Sequence, residues 1–176
     1  MDALTRIDAR LQDLLALARA GDVDATDAVS LRAAALAAWA DIDTADATLE
    51  VDDGTVEASE RLLVQALENL LENAVDHGGS DVSVRVEALA DGGFRVSDDG
   101  PGIPARERER ILQPGVSSRE AASGHGEGLA IVEDIAEAHD WDLLVGESEL
   151  GGARFECHPR TATVDRVTTR TMVVGD

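Results

Sequence analysis

The chain has 176 residues, 36 of them acidic and 15 basic, for a formal net charge of −21, and every basic residue is an arginine. An acidic excess of this size argues against binding to nucleic acid or to an anionic membrane face. The length suits one domain with a short helical attachment, and two Phe, two Trp and no Tyr leave the core to Leu, Val, Ile and Ala.

In chain order, Leu4, Ile7, Leu11, Leu14, Leu15 and Ala18 recur at helical spacing, so residues 1–21 read as one amphipathic helix that stops at Gly21. Residues 22–29 are small and acidic and read as a linker. Ser30 is placed to cap a second helix that runs to about Trp39. Two short strands are expected over 46–51 and 55–58, paired as a hairpin through Asp53-Gly54. The next helix spans Ser59 to His77 and ends at Gly78-Gly79; Leu62, Leu63, Ala66, Leu67, Leu70, Leu71 and Ala74 form its apolar stripe.

Val82, Val84 and Val86 then alternate with polar residues, which predicts a half-buried strand. Asp91-Gly92-Gly93 turns the chain into a strand through Phe94 and Val96. Residues 99–127 carry glycines, three prolines and many charges around one short helix near 105–112, a length typical of a lid. Leu129, Val132, Ile135 and Ala136 mark another helix, and Trp141–Gly146 and Ala153–Cys157 read as closing strands joined at Gly151-Gly152. Residues 159–176 read as a tail. Interleaved helices and hairpins predict an α+β two-layer sandwich over residues 30–158, with one mixed sheet and helices on one face, preceded by the N-terminal helix.

The regular apolar periodicity argues against disorder, which leaves a folded protein adapted to strong salt. At about 1 M salt the Debye length falls to roughly 3 Å, so repulsion among surface carboxylates is screened. Cys157 is the only cysteine, so no internal disulfide forms. With neither a bilayer-spanning apolar run nor a signal-peptide pattern, the sequence reads as cytoplasmic with no transmembrane segment.

Four segments carry chemistry. Asn69 and Asn73 lie one turn apart on one helix face, although asparagine is a poor helix-interior residue. Their side-chain oxygens are neutral hard ligands suited to Mg²⁺. For the pair alone, a polar helix edge that closes loops is an open alternative. Asp98-Asp99-Gly100-Pro101-Gly102-Ile103-Pro104 follows a strand; its glycines let the backbone approach a flat ligand, and an ionised Asp98 accepts from an exocyclic amine. An ordinary acidic turn is the alternative there. Gly124-His125-Gly126-Glu127-Gly128-Leu129 opens a helix and offers free N–H groups to phosphate, or acts as a hinge. Gly151-Gly152-Ala153 alone is only a hairpin.

In their order and spacing these segments resemble the ATP-binding domain of the superfamily that holds gyrases, heat-shock chaperones, histidine kinases and mismatch-repair proteins. Asn-Leu-Leu-Glu-Asn-Ala at 69–74 and Asp-Asp-Gly-Pro-Gly-Ile-Pro at 98–104 look like the histidine-kinase branch, and the acidic chain resembles haloarchaeal sensor histidine kinases. The resemblance implies ATP and Mg²⁺ as cofactors, with Asn73 on the metal and Asn69 beside the phosphates in a catalytic role. It places Asp98 on the adenine amine, Gly100, Gly102 and Ile103 around the base, and His77 beside the nucleotide. Gly124, His125, Gly126 and Gly128 would cradle phosphate, with Leu129 packed beneath.

Some positions depart from the family pattern: Asp76 stands where kinases often carry lysine, Glu127 replaces an apolar residue, Ala153 replaces threonine, and the 111–116 segment lacks phenylalanine. The implied function is the ATP-binding catalytic domain of a two-component sensor histidine kinase, passing the γ-phosphate to a histidine in another segment or chain. None of His77, His125, His139 and His158 precedes the asparagine box. Residues 1–20 look like the end of a dimerisation hairpin, which implies a homodimer whose partners are a phospho-acceptor histidine hairpin or a response regulator. A non-catalytic ATP-binding regulatory module and a serine kinase acting on a regulatory protein are the rival readings.

Overall fold

The computed structural model describes residues 26–111 and 127–160. In chain order these form β1 (Asp27–Ser30), α1 (Leu31–Ala40), β2 (Thr48–Val51), β3 (Thr55–Ala58), α2 (Glu60–Gly78), β4 (Ser83–Ala88), β5 (Phe94–Asp98), α3 (Ala105–Ile111), α4 (Glu127–Ala138), β6 (Trp141–Glu147) and β7 (Ala153–Pro159). The helix expected over 1–21, most of the expected lid and the end of the tail lie outside the described residues.

Five strands form one mixed sheet in the order β2-β4-β5-β7-β6. β2 runs parallel to β4, and the other neighbours are antiparallel. The alternation read in the sequence sets the two faces. Val84, Val86, Phe94, Val96, Phe155 and Cys157 are buried on the inner face. They join Leu63, Leu67, Leu70, Leu71 and Ala74 of α2 and Leu31, Ala34, Ala35 and Ala38 of α1 in one apolar cluster. Phe94 meets Trp141 edge to face at 5.7 Å, so half of the chain's four aromatic rings sit in one contact. The opposite face carries ion pairs along and across strands: Arg85–Glu50 at 2.8 Å, Arg95–Glu87 at 2.6 Å and Arg154–Glu156 at 3.5 Å.

Ser30 caps α1 as expected, its hydroxyl accepting from the Ala33 N–H at 3.3 Å. The hairpin expected through Asp53-Gly54 does not form. β2 pairs with β4, Thr48 opposite Ser83, whereas β3 pairs antiparallel with β1, Val56 opposite Val29. The reason is the competition for backbone groups on each side of the bend. The Asp52 N–H donates to the Val86 carbonyl at 3.0 Å, and the Gly54 carbonyl accepts from the Leu31 N–H at 2.9 Å, so the chain crosses from one sheet to the other. For the same reason the linker expected over 22–29 gives way to strand β1 at Asp27. Period-two patterning identifies a strand but not its partner.

Candidate nucleotide site

The site gathers at the C-terminal end of β5, between the end of α2 and the β6–β7 turn. Asp98 is the last residue of β5 and is 6% exposed. Its Oδ1 accepts from the Gly100 N–H at 2.9 Å and from the Ala153 N–H at 3.0 Å. Its backbone carbonyl accepts from the Gly152 N–H at 3.1 Å. Both side-chain bonds end on Oδ1, so Oδ2 retains its accepting capacity among the described residues. Burial raises the Asp98 pKa; the Ala153 and Gly100 N–H groups oppose that rise, Asp99 adds to it, and His77 also opposes it. The His77 contribution shows that the end of α2 lies within electrostatic reach of the strand end.

Glycine is required where backbones meet here. A Cβ on Gly100 would lie 2.6 Å from the Gly78 Cα, so the loop after Asp98 sits directly on the end of α2. A Cβ on Gly152 would lie 2.0 Å from Asp98 Oδ1. Gly102 has φ +71° and packs against the Gly152 backbone, which closes the Asp98–Gly102 bend over the hairpin turn. Ile103 is partly buried against the main core, and its carbonyl accepts from Arg108 Nε at 2.7 Å, tying the first turn of α3 to the loop. Asp99, exposed, accepts from the Ser83 N–H at 2.8 Å and anchors the start of β4.

The asparagine face meets α4. Asn69 Nδ2 donates to the Gln65 carbonyl one turn back at 2.8 Å, so its Oδ1 is the end that lies against Gly128. A Cβ on Gly128 would stand 2.9 Å from that oxygen. Leu129 is buried beneath. Asn73 is half-buried one turn further along α2, and Asp76 and His77 are exposed at its end. The structure therefore brings Asn69 to Gly128, Gly100 to the end of α2, and Gly102 to Gly152 beside Asp98. Gly124, His125 and Gly126 lie outside the described residues. Gly78 is a member of the site that sequence reasoning missed; Gly152 and Ala153 read in the sequence only as a hairpin turn, and the structure brings their backbone N–H groups onto Asp98.

A mixed sheet with helices, a buried aspartate at a strand end and asparagines on the adjoining helix define an ATP-binding domain of the histidine-kinase type. The fold matches the mycobacterial sensor histidine kinase MprB with a TM-score of 0.59, at 22% identity over 77% of this chain and 99% of that one. It also matches the ATP binding domain of PrrB from Mycobacterium tuberculosis, with a TM-score of 0.56 and 26% identity over 78% and 98% of the two chains. The family described as histidine kinase-, DNA gyrase B-, and HSP90-like ATPase matches residues 58–163, and the chain belongs to this family. Among curated relatives, the two-component sensor PhoQ of Pseudomonas aeruginosa is 44% identical over 105 residues, which are 58% of this chain and 22% of that protein. The chain thus spans less than a quarter of the length of that relative.

Proposed function

We propose that this chain is the ATP-binding catalytic domain of a two-component sensor histidine kinase. The observation that carries the reading is Asp98, a buried carboxylate whose Oδ1 is fixed by two backbone N–H groups while Oδ2 keeps its accepting capacity beside the asparagine helix. An acceptor so held suits the exocyclic amine of adenine, and Gly100 and Gly102 keep side chains out of the path of the base. The donor set also fits a hard divalent cation: Asn73 supplies the oxygen that would hold Mg²⁺, with Asn69 beside it. When bound, Mg²⁺ neutralises phosphate charge; the protein's own part is positioning and exclusion of water. His77, at the end of α2, is assigned to the edge of the base. Gly124, His125, Gly126 and Gly128 are assigned to the phosphates, and Gly128 stands over Asn69.

The direct test is incubation of the chain with γ-labelled ATP and a histidine hairpin from a sensor kinase. Label on the hairpin histidine supports the reading; ATP bound with no transfer supports the non-catalytic regulatory module, and label on serine the third reading. The hairpin or a response regulator is the expected partner, and residues 1–21 are the proposed dimerisation segment.

We further infer a salt-adapted protein from the net charge of −21, and a cytoplasmic setting from the ATP-dependent function proposed above. Among the described residues no helix is long and apolar enough to cross a membrane. Most of the described ion pairs involve exposed side chains, which solvent screens, so they do not offset the general repulsion in dilute buffer. The thermal midpoint is expected to rise steeply between 0.05 M and about 1 M salt as the Debye length contracts. A midpoint that stays level across that range sinks the inference.

A further inference from the structure

His139 sits just beyond α4 and touches three elements at once. Its Nε2 lies 3.0 Å from the backbone nitrogen of Ser59, the N-cap of α2. Its Nδ1 lies 2.8 Å from the Ile135 carbonyl oxygen of α4, and its ring stacks on Trp141 of β6 at 4.3 Å. A backbone N–H donates only, and a carbonyl accepts only. Both contacts are satisfied by a single form of the ring, neutral imidazole with its proton on Nδ1 and its lone pair on Nε2. The imidazole thus takes up the N–H of the α2 N-cap residue from outside the helix.

This contact stands at one end of the α2–α4 interface. Leu62 and Ala66 of α2 and Ile135 of α4 form a separate apolar cluster in its middle. Asn69 against Gly128 stands at the other end. Ser59 to Asn69 and Gly128 to His139 are nearly equal spans, roughly 15–17 Å each at helical rise, so fixing one end in register fixes the other. We propose that His139 is a positioning residue, a neutral imidazole strut that sets the register of the asparagine helix α2 against α4. Protonation makes Nε2 a donor facing a donor and releases the strut. The effect on nucleotide binding rests on the function proposed above; the strut does not.

Charged groups closest in sequence to these contacts are Glu60 and Arg61 of α2, Glu133, Asp134 and Glu137 of α4, Asp140 and Asp142 flanking the first residue of β6, and Arg160 after β7. Arg160 is engaged with Asp142 at 2.7 Å and Asp140 at 3.2 Å. None of these groups holds the ring charged: burial lowers the His139 pKa, and only the Ile135 carbonyl opposes that. A depressed folded pKa means that the strut's stabilisation is complete above the unfolded value of about 6.5 and is lost as pH falls through the folded value.

The test uses the whole chain in molar salt, with His139→Gln as a variant that keeps an acceptor near Ser59 but does not titrate, and His139→Ala as full removal. Long-range ¹H–¹⁵N spectra are expected to show His139 neutral and protonated on Nδ1 at pH 7.5. Between pH 7.5 and 5.5 the thermal midpoint of the wild type should fall further than that of His139→Gln. Over the same range Mg-ATP affinity should drop about fivefold more in the wild type than in the variant, the loss of one hydrogen bond. An Nε2-protonated ring, or superimposable pH profiles for wild type and His139→Gln, overturns the proposal. If His139→Ala does not fold, the spectra and the glutamine variant still decide. If no nucleotide binds at any pH while spectra and midpoints behave as described, the proposed function fails and the strut stands.

Discussion

Gly152→Ala is expected to destabilise the domain by about 3 kcal/mol or more, a large share of the roughly 5–15 kcal/mol that holds a domain together. The added Cβ would lie 2.0 Å from Asp98 Oδ1, 2.5 Å from the Asp98 carbonyl oxygen and 2.6 Å from the Gly100 nitrogen. Two of these three atoms are backbone, so rotation of a side chain offers no relief. Nor is Gly152 free to move away. Its N–H donates to Asp98 at 3.1 Å, and its carbonyl accepts from the Ser148 N–H at 2.9 Å. Any shift breaks these bonds and drags the adjoining Ala153 N–H off the Asp98 carboxylate, so nucleotide binding should be lost with the stability. The neighbouring glycine is the control. Gly151 has φ +106° but no atom within 4 Å of its Cβ position, so Gly151→Ala meets only backbone strain, about 1–2 kcal/mol. Denaturant unfolding in molar salt measures both. Equal losses at the two positions would show that the β6–β7 turn does not lock Asp98.

The contrast between these glycines shows what could be read from the chain and what could not. Local patterns were legible: the stripe from Leu62 to Ala74 predicts α2, and Val82, Val84 and Val86 mark the strand at β4. Asp98 was legible because the glycines that shape its loop follow it within four residues. The partner on its other side, Ala153, is 55 residues away, and nothing in the Gly-Gly turn announces that its backbone closes over a carboxylate. The misread hairpin at Asp53-Gly54 has the same origin. Both flanking strands alternate correctly, but their partners are β4 and β1 rather than each other. His139 left no mark in the sequence at all. Its role arises from an N–H donor 80 residues earlier.

Asp98→Asn and Asn73→Ala separate the site from the fold. In Asp98→Asn the side-chain oxygen can still accept from Gly100 and Ala153, so the strand end and the turn keep their bonds. What changes is the second position, where an NH₂ replaces an acceptor and meets the adenine amine donor to donor. Burial raises the Asp98 pKa in the folded state. The stability linked to that shift is complete below the unfolded value of about 3.9 and is lost as pH rises through the folded value, so at neutral pH the ionised carboxylate strains the fold. The neutral amide removes that burden, and the unfolding midpoint should hold or rise. ATP affinity should fall about 10- to 100-fold, the cost of a mismatched buried partner. Adenine selectivity over guanine should weaken with it.

Asn73→Ala also spares the fold, since alanine is the better helix former at a half-buried position. Its expected loss is confined to the Mg-dependent part of binding, so the two variants should differ when titrated with and without Mg²⁺. Calorimetry in molar salt reads both. If both variants bind Mg-ATP as the wild type does, the site lies elsewhere. If Asp98→Asn loses binding in either condition while Asn73→Ala loses it only where Mg²⁺ is present, the base is assigned to Asp98 and the metal to Asn73.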